Sequence, residues 1–276
     1  MNPWLIAGLA ILAACLVLGC FYFALMKPHT NRGGLEKYKG VRFAHRGLHG
    51  GGVPENSLSA FALAVEGGYG IELDVHTSKD GVAVVFHDGT LDRMVGKEGR
   101  VADFTAAELS EMRLLGSDEK IPTFAEVLKL VGGRVQLLVE LKQDAGEVGV
   151  AKAAAELLRG YEGDFIVESF NPFTLAEFGK EMPDVRRGIL SQKFTENPKY
   201  REFKYVLSQN LLLNVVCKPD FVALKHNHAS FFPFRAVKAL YKPISLAWTV
   251  RSQEEEDAAF ANGFDSVIFE NYIPKA

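Results

Sequence analysis

The sequence contains little of several features that mark particular classes of protein. Its 276 residues include only three cysteines, two of them in an apolar leader and one, Cys217, alone in the body of the chain. That number is too small for a disulfide framework and is compatible with a reducing compartment. Basic residues number 31 against 34 acidic ones, so the formal net charge is -3. The chain therefore lacks the basic excess of nucleic-acid-binding proteins, and we expect no nucleic-acid partner.

Charged residues are absent from the first 26 positions. Residues 5–26 are almost wholly apolar, and as a helix they would span roughly 33 Å, enough to cross a hydrocarbon core of about 30 Å. A signal peptide would begin with basic residues and end at a small-x-small cleavage site, and the sequence has neither. A lipoprotein signal ending at Cys20 is disfavoured because Leu18 is bulky and the basic start is again missing. The sequence predicts an uncleaved transmembrane helix over residues 1–26.

Positive charge follows this helix and does not precede it. The cations just after it are Lys27, Arg32, Lys37, Lys39 and Arg42. The positive-inside rule then predicts a single-pass membrane protein whose body lies on the cytoplasmic side. We expect a polar tether over residues 27–39, followed by one catalytic domain over residues 40–276.

From residue 40 onward, apolar runs typical of β-strands alternate with helical stretches, which predicts parallel strands joined by helical crossovers. The predicted strands are 41–44, 71–75, 135–141, 165–170, 187–190, 221–224, 244–250 and 266–269. Eight such units over roughly 235 residues favour a (β/α)8 TIM barrel, an α/β fold, over an open sheet. Residues 82–86 are predicted as an extra short strand folded back beside its predecessor, and residues 89–120 as a small inserted lobe.

Polar residues at the carboxyl ends of the strands are the candidates for chemistry, because barrel enzymes place their active sites there. The first strand ends in His45-Arg46-Gly47, and the second carries Glu72 and Asp74, whose spacing puts both side chains on one face. Glu140 and Lys142 repeat that spacing on the third. Later strand ends supply Glu168, Ser169, Lys225, Trp248 and Glu270.

Three carboxylates that converge on a barrel mouth repel one another unless a cation joins them. Glu72, Asp74 and Glu140 are therefore predicted to hold one divalent metal ion with a preference for oxygen ligands, Mg²⁺ or Ca²⁺. Arg46 and Lys142 would remain as fixed positive groups suited to phosphate oxygens.

Two histidines complete the predicted site. His45 ends the first strand and His87 follows the extra strand. Imidazole titrates near neutral pH, so one ring can take a proton from the attacking oxygen while the other gives one to the leaving alkoxide. The residues leave open which histidine plays which part.

A series of short motifs in order along the chain resembles the glycerophosphodiester phosphodiesterase family, in a membrane-anchored bacterial form. The motifs are Ala44-His45-Arg46-Gly47, Pro54-Glu55-Asn56-Ser57, Glu72-Leu73-Asp74-Val75, Lys79-Asp80-Gly81, His87-Asp88, Thr90-Leu91-Asp92-Arg93, Ile121-Pro122-Thr123, Glu140-Leu141-Lys142 and Ser169-Phe170-Asn171. The resemblance is strong over residues 41–171 and weak beyond them. At the last strand the family commonly has a Thr-Asp pair and a proline, whereas this chain has Phe269-Glu270-Asn271-Tyr272.

The resemblance implies a barrel hydrolase that converts glycerophosphodiesters to sn-glycerol 3-phosphate and an alcohol. It implies that His45 and His87 form the acid/base pair, that Arg46 and Lys142 hold phosphate, and that Glu72, Asp74 and Glu140 hold the metal. Trp248 matches an aromatic residue that packs on the substrate. Glu55 and Asn56 are expected to support these residues from behind, although Asn56 or Ser57 could simply cap the helix near Leu58.

Two other functions fit the same residues. A lysophospholipase D-like enzyme would act on a lipid phosphodiester at the same site, as the membrane helix suggests. An inactive barrel would bind phosphodiesters or partner proteins without turnover. The sequence also leaves open whether water attacks directly or the glycerol hydroxyl first forms a cyclic phosphate.

Overall fold

A computed structural model of the protein describes residues 2–29, 33–143 and 149–275; Arg32, one of the cations after the leader, lies outside them. The strands are β1 (Arg42–Ala44), β2 (Gly70–Thr77), β3 (Ala83–Val85), β4 (Leu137–Leu141), β5 (Phe165–Ser169), β6 (Arg187–Ser191), β7 (Phe221–Lys225), β8 (Ile244–Val250) and β9 (Ser266–Phe269). All except β3 pair in parallel, and β1 pairs with both β9 and β2, which closes the barrel. The predicted (β/α)8 barrel is confirmed.

The helices of the described residues lie before and between these strands. They are α1 (Pro3–Met26), α2 (Leu58–Glu66), α3 (Asp92–Val95), α4 (Ala106–Leu109), α5 (Phe124–Val131), α6 (Val150–Leu158), α7 (Pro172–Glu181), α8 (Phe203–Gln209), α9 (Asn214–Cys217), α10 (Phe232–Tyr241) and α11 (Gln253–Ala261). Side chains cap several of them: Ser57 accepts a hydrogen bond from the Ala60 amide, and Thr123 forms a capping box with Glu126.

Alternation along each strand separates the barrel interior from the layer between strands and helices. On β4, Leu137, Val139 and Leu141 pack outward among the helices, while Leu138 and Glu140 lie on the opposite face. The short helix Glu36–Tyr38 contributes to the amino-terminal end of the interior: Tyr38 is buried, and its carbonyl accepts a hydrogen bond from the Ser266 hydroxyl at the start of β9. Apolar packing thus fills that end and leaves the polar residues at the other.

Between β2 and α5 lies the inserted lobe. Strand β3 pairs antiparallel to β2, with Val75 opposite Val85, as the sequence predicts. The segment that follows contains α3 and α4 and has a small apolar core of its own, made by Val84, Phe86, Leu91, Met94, Val101, Leu109, Met112, Leu114 and Ile121. This lobe brings the segment around His87 to the barrel mouth.

Within the described ranges, α1 is the one helix long and apolar enough to cross a membrane. Most of it is exposed, with Trp4 at 84% and Leu12 at 56%. Its last turns instead pack on the barrel. Met26 is fully buried, and its carbonyl accepts a hydrogen bond of 2.8 Å from Asn214 Nδ2. The Phe23 carbonyl accepts another of 2.8 Å from Tyr241 Oη. The helix is therefore docked on the barrel at its carboxyl-terminal end.

Candidate active site

The strand register places carboxylates side by side at the carboxyl ends of β2, β4 and β5. Asp74 lies opposite Glu140, and Glu140 lies opposite Glu168. Glu72 precedes Asp74 by two positions and therefore shares its face. All four side chains are buried. Because neighbouring strands are about 4.8 Å apart, this register alone concentrates negative charge at one spot.

Glu72, Asp74 and Glu140 each offer a ligand oxygen, and these oxygens lie within 4.8 Å of one another. Burial and repulsion from Asp74 and Glu140 raise the pKa of Glu72 well above its ordinary value. Burial also raises the pKa of Glu168. A buried set of hard oxygen donors with excess negative charge fits a divalent metal ion such as Mg²⁺ or Ca²⁺. The acidic cluster predicted from the sequence is therefore assembled in a form that can hold a metal.

Two cations lie against this cluster. Lys142 Nζ is 2.8 Å from Glu140 Oε1 and 3.1 Å from Asp74 Oδ1. Although burial acts to lower the pKa of Lys142, these two carboxylates raise it, so the ammonium stays charged. Arg46 Nε lies 3.5 Å from Asp74 Oδ2. Burial acts to raise the pKa of Asp74, but the charges of Lys142, His87 and Arg46 outweigh it and hold this pKa well below the ordinary value.

A tight turn after β1 aims Arg46 into the site. Arg46 has a φ of 56°, in the left-handed region that non-glycine residues rarely adopt. Its amide donates a hydrogen bond of 2.9 Å to Glu72 Oε2. Gly47 follows with a φ of 79°, and a Cβ at this position would lie 2.8 Å from the Ala60 carbonyl carbon. The glycine is thus required for the turn to pack against α2.

Residues of the Pro54–Ser57 motif hold the site from behind. Glu55 Oε1 accepts a hydrogen bond of 2.8 Å from Arg46 Nη1 and another of 2.6 Å from Arg93 Nη2. Asn56 is buried, and its Nδ2 donates a hydrogen bond of 2.8 Å to Asp74 Oδ2. Of the two capping candidates, Ser57 is the one that caps α2. Asn56 instead orients a carboxylate of the acidic cluster.

His45 is fixed by a carboxylate at the end of the last strand. Its Nδ1 lies 2.5 Å from Glu270 Oε2, and its Nε2 lies 3.9 Å from Glu72 Oε2. Burial lowers the pKa of His45 to about 4, and the hydrogen bond from His45 lowers the pKa of Glu270 to about 2. Both pKa values are lowered, which corresponds to a neutral His45 imidazole whose Nδ1–H donates a hydrogen bond to an ionised Glu270. The Nε2 lone pair is then directed toward the acidic cluster.

His87 has the same kind of support from the inserted lobe. Its Nδ1 lies 2.7 Å from Asp88 Oδ1, while Asp88 Oδ2 accepts a hydrogen bond of 2.6 Å from Arg93 Nε. Burial opposes ionisation of Asp88, but the hydrogen bonds from His87 and Arg93 hold its pKa below the ordinary value. His76 Nε2 lies 3.1 Å from the His87 carbonyl oxygen and so contacts its backbone.

These groups surround a cavity of about 220 Å³ at the barrel mouth, the inner cavity. Its walls include His45, Arg46, Glu72, His87, Glu140, Lys142, Glu168, Phe170 and Trp248. Phe170 and Trp248 meet edge to face, with ring centroids 5.4 Å apart. Trp248 Nε1 is buried and has no hydrogen-bond partner among the described residues. The predicted catalytic, phosphate-binding and aromatic residues thus line one cavity together with two of the three predicted metal ligands, Glu72 and Glu140.

Sequence reasoning missed the partners of the two histidines. Glu270 was named only as a strand-end residue, and the departure from the family pattern at this position hid its contact with His45. Asp88 and Arg93 stood within motifs but had no assigned role. A histidine that moves protons needs a group to fix its tautomer. The position of Glu270 one residue beyond β9 and that of Asp88 directly after His87 were therefore signals that the sequence offered. Glu168 likewise belonged to the strand-end list without a role.

Fold and site together define an enzyme class: a (β/α)8-barrel hydrolase with a carboxylate cluster, two histidines and two cations at its mouth. The chain belongs to the glycerophosphoryl diester phosphodiesterase family, whose match covers residues 45–273. It is similar to the glycerophosphodiester phosphodiesterase of Caldanaerobacter subterraneus, at 32% identity over 248 residues, 83% of this chain and 93% of that protein. It is also similar to the glycerophosphodiester phosphodiesterase of Bacillus altitudinis, at 35% identity over 56% of this chain and 68% of that protein.

Among solved structures, the chain is similar to an Oleispira antarctica phosphodiesterase in complex with the product sn-glycerol-3-phosphate. The TM-score is 0.68 at 25% identity, covering 84% of this chain and 94% of the other. The glycerophosphodiester phosphodiesterase of Thermotoga maritima shares the fold, with a TM-score of 0.62 at 24% identity over 83% and 94% of the two chains.

Proposed function

We propose that this protein hydrolyses glycerophosphodiesters to sn-glycerol 3-phosphate and an alcohol, with water as the second substrate. One observation carries the proposal: two carboxylate-supported histidines, two cations and the carboxylates Glu72 and Glu140 of the acidic cluster line a single cavity of about 220 Å³. Family membership and the sn-glycerol-3-phosphate complex of the Oleispira relative support the same reaction.

The charged residues divide into two tasks. Glu72, Asp74 and Glu140 would hold one divalent ion, Mg²⁺ or Ca²⁺, which when bound supplies Lewis-acid stabilisation of a phosphate oxygen. Arg46 and Lys142 bind the remaining phosphate oxygens, Arg46 as a planar fork and Lys142 as a point charge. Both cations contact buried carboxylates, Arg46 that of Asp74 and Lys142 that of Glu140, so little reorganisation is needed as charge grows on the phosphoryl group.

His45 is the base and His87 the acid in this proposal. With Nδ1–H donated to Glu270, the His45 Nε2 accepts the proton of the attacking oxygen. That oxygen belongs to water or to the neighbouring glycerol hydroxyl, in which case water then opens a cyclic phosphate. His87 gives its proton to the alkoxide as the phosphorus–oxygen bond breaks. Trp248 packs on the glycerol moiety, and Glu55 and Asn56 keep Arg46 and Asp74 in place.

The location of the reaction follows from α1. We propose a single-pass membrane protein with its barrel on the cytoplasmic side, organised as a membrane helix over 1–26, a connecting segment over 27–39 and the catalytic domain over 40–276. The exposed, charge-free helix and the cations that follow it are the grounds. A lysophospholipase D-like activity on lipid phosphodiesters is the second candidate, since the same helix holds the site near lipid.

The test is release of sn-glycerol 3-phosphate from glycerophosphoethanolamine by the full chain in detergent, with EDTA and with added Mg²⁺ or Ca²⁺. We expect metal-dependent release that falls at least about 1,000-fold in His45→Ala. His226→Ala, at a histidine outside the inner cavity, should retain activity. Release without metal would contradict the proposed cofactor. Activity only on lysolipid vesicles would favour the lysophospholipase D-like function. Binding of the diester without release of sn-glycerol 3-phosphate would favour a barrel that binds phosphodiesters without turnover.

A further inference from the structure

A larger cavity opens beside the inner one. This outer cleft has a volume of about 650 Å³ and shares four wall residues with the inner cavity: His87, Glu140, Lys142 and Phe170. The shared residues include His87, the proposed acid, and Lys142, one of the two cations proposed to bind phosphate. A phosphate bound there would have one substituent in each cavity.

The sizes of the two cavities decide which substituent goes where. Small-molecule sites usually measure about 300–1,000 Å³, so the outer cleft is of that size and the inner cavity is below it. The inner cavity contains His45 and Trp248 and fits the compact glycerol side. His87 faces both spaces, as an acid must when the leaving alkoxide lies in the outer cleft. The leaving alcohol is thus assigned to the outer cleft.

One wall of the outer cleft is aromatic. It is formed by Phe170 and by Phe194, Tyr200 and Tyr205, which belong to the segment that runs from the end of β6 into the first turn of α8. Phe194 is at the centre, with ring centroids 6.1 Å from Phe170, 5.6 Å from Tyr200 and 5.5 Å from Tyr205. The rings hold one another in edge and tilted contacts, which gives a built wall and not a scatter of side chains.

Among the described residues that line the outer cleft, the charged ones belong to the catalytic site or contact it. The ionisable residues there, other than the tyrosines, are His87, Asp88, Glu140 and Lys142, all engaged with one another or with the catalytic site. The rest of the lining is neutral: Gly89, Thr90, Gln143, Ser169, Asn171 and Gln192, with the aromatic wall. A cation already covers part of this wall, since Lys204 Nζ lies 5.0 Å from the Tyr205 ring centroid. Apart from the catalytic His87 and Lys142, no described residue that lines the outer cleft can carry a positive charge, and a cationic head group on the aromatic wall would meet Lys204 beside the Tyr205 ring.

Two exposed phenylalanines are close in sequence to residues that line the outer cleft. Phe173 is 63% exposed and follows the cleft residue Asn171 by two positions. Phe203 is 72% exposed and precedes Tyr205 by two. These two side chains leave large apolar surface exposed close in sequence to the cleft.

We propose that the outer cleft is the subsite for the leaving alcohol and that it selects an uncharged alcohol with an apolar chain. The proposal rests on the hydrolysis proposed above, in which His87 protonates that alkoxide. Phe194, Tyr200 and Tyr205 are the specificity-determining residues.

A homologous series of substrates tests this directly. The full chain in detergent is given the sn-glycerol 3-phosphate diesters of ethanol, butanol and hexanol, all soluble and with the same scissile bond. Burial of one methylene group contributes about 0.8 kcal/mol, so we expect kcat/KM to rise about threefold to fourfold per methylene. Turnover of all three diesters at one rate would overturn the apolar cleft and leave the hydrolysis standing. Turnover of none would overturn the hydrolysis itself.

Variants connect the chain-length dependence to the aromatic wall. Tyr205→Ala should flatten the series and lower kcat/KM for the hexyl diester about tenfold, whereas Tyr205→Phe keeps the ring and should keep the dependence. Phe232→Ala is the matched control, because Phe232 is exposed on the first turn of α10 and is not part of the cleft wall. A folding defect would lower all three diesters equally, so an unchanged ratio in Tyr205→Ala would contradict the assignment.

A neutral isostere of choline tests whether the cleft recognises the apolar surface of the leaving alcohol or a positive charge on it. Glycerophosphocholine and the glycerophosphodiester of 3,3-dimethylbutanol have leaving groups of the same shape, and only choline carries charge. We expect the neutral diester to have the higher kcat/KM. A preference for choline would show that the rings recognise a cation through their faces and would overturn the proposed selectivity.

Discussion

Each proposed catalytic histidine depends on one carboxylate that the histidine motifs alone do not assign. His45 donates from Nδ1 to Glu270, and His87 Nδ1 is held by Asp88. A carboxylate in this position fixes the ring and its tautomer, so that Nε2 is the nitrogen available for proton transfer. Glu270 is therefore a positioning residue, since it acts through His45.

Glu270→Gln removes the charge and keeps the shape. We expect kcat to fall about 10- to 100-fold with little change in KM. The Glu270 carboxylate raises the pKa of His45 against the lowering effect of burial, so its loss should move the acid limb of the pH–rate profile to lower pH. Full pH–rate profiles of both proteins measure this. Glu254→Gln, on the first turn of α11, is the control; an unchanged kcat in Glu270→Gln would contradict the positioning role.

Glu72 predicts how pH and metal affect stability. Its pKa in the folded protein is raised above the unfolded value, so ionising it costs the folded state stability. The metal-free protein should lose stability as the pH rises above 4.5, the ordinary value. Glu72→Gln should reduce this loss and raise Tm in EDTA at pH 7. A bound divalent ion should offset the same repulsion in the wild type.

Thermal melts with and without metal measure both effects. At 100 times Kd, an ion stabilises by about 2.7 kcal/mol, or roughly 5–10 °C in Tm for a chain of this size. Glu72→Gln should lose most of that rise, whereas Glu66→Gln on the surface of α2 should keep it. A wild-type Tm that ignores both Mg²⁺ and Ca²⁺ would count against the metal site.

At the scale of elements, the end of α1 belongs to the barrel as much as to the leader. Tyr22 and Phe23 pack on the apolar core, Met26 is buried within it, and Asn214 donates to the Met26 carbonyl. Removal of this turn exposes apolar surface and leaves a buried amide without its acceptor.

Two truncations separate the membrane part of α1 from the docked part. A chain of residues 20–276 should keep the Tm of the full protein, while residues 28–276 should lose at least about 2 kcal/mol, or roughly 5 °C. Differential scanning calorimetry in one detergent buffer compares them. Equal Tm values for both truncations would mean that the docking contributes no stability.

Elements were predicted unevenly for a physical reason. The eight parallel strands were readable because both faces of each are buried and leave long apolar runs. Residues 192–220 gave no assignment: they include the 3-10 turn Phe194–Glu196 and the helices α8 and α9, which are too short for a clear helical period. The aromatic wall of the outer cleft comes mainly from this segment, so sequence reasoning could not find the cleft.

At the scale of the whole molecule, α1 predicts where the enzyme acts. Expressed in bacteria, the full chain should stay with the membranes through a high-pH wash, and protease added to spheroplasts should leave the barrel uncut. Amino-terminal sequencing of the purified protein provides the control. A chain shortened within α1 and released in soluble form would identify a signal sequence, and cleavage of the barrel in spheroplasts would reverse the orientation.

The sequence by itself determined the barrel, the inserted lobe and the chemical set of histidines, carboxylates, Arg46 and Lys142. These follow from local patterns, since strand alternation and strand ends are properties of neighbours in the chain. Only the tertiary structure decided that Glu270 supports His45, 225 positions away, and that Asn56 orients Asp74. It also decided that the aromatic residues after β6 line a cleft next to His87. Barrel closure and loop packing create these contacts, and no local pattern encodes them.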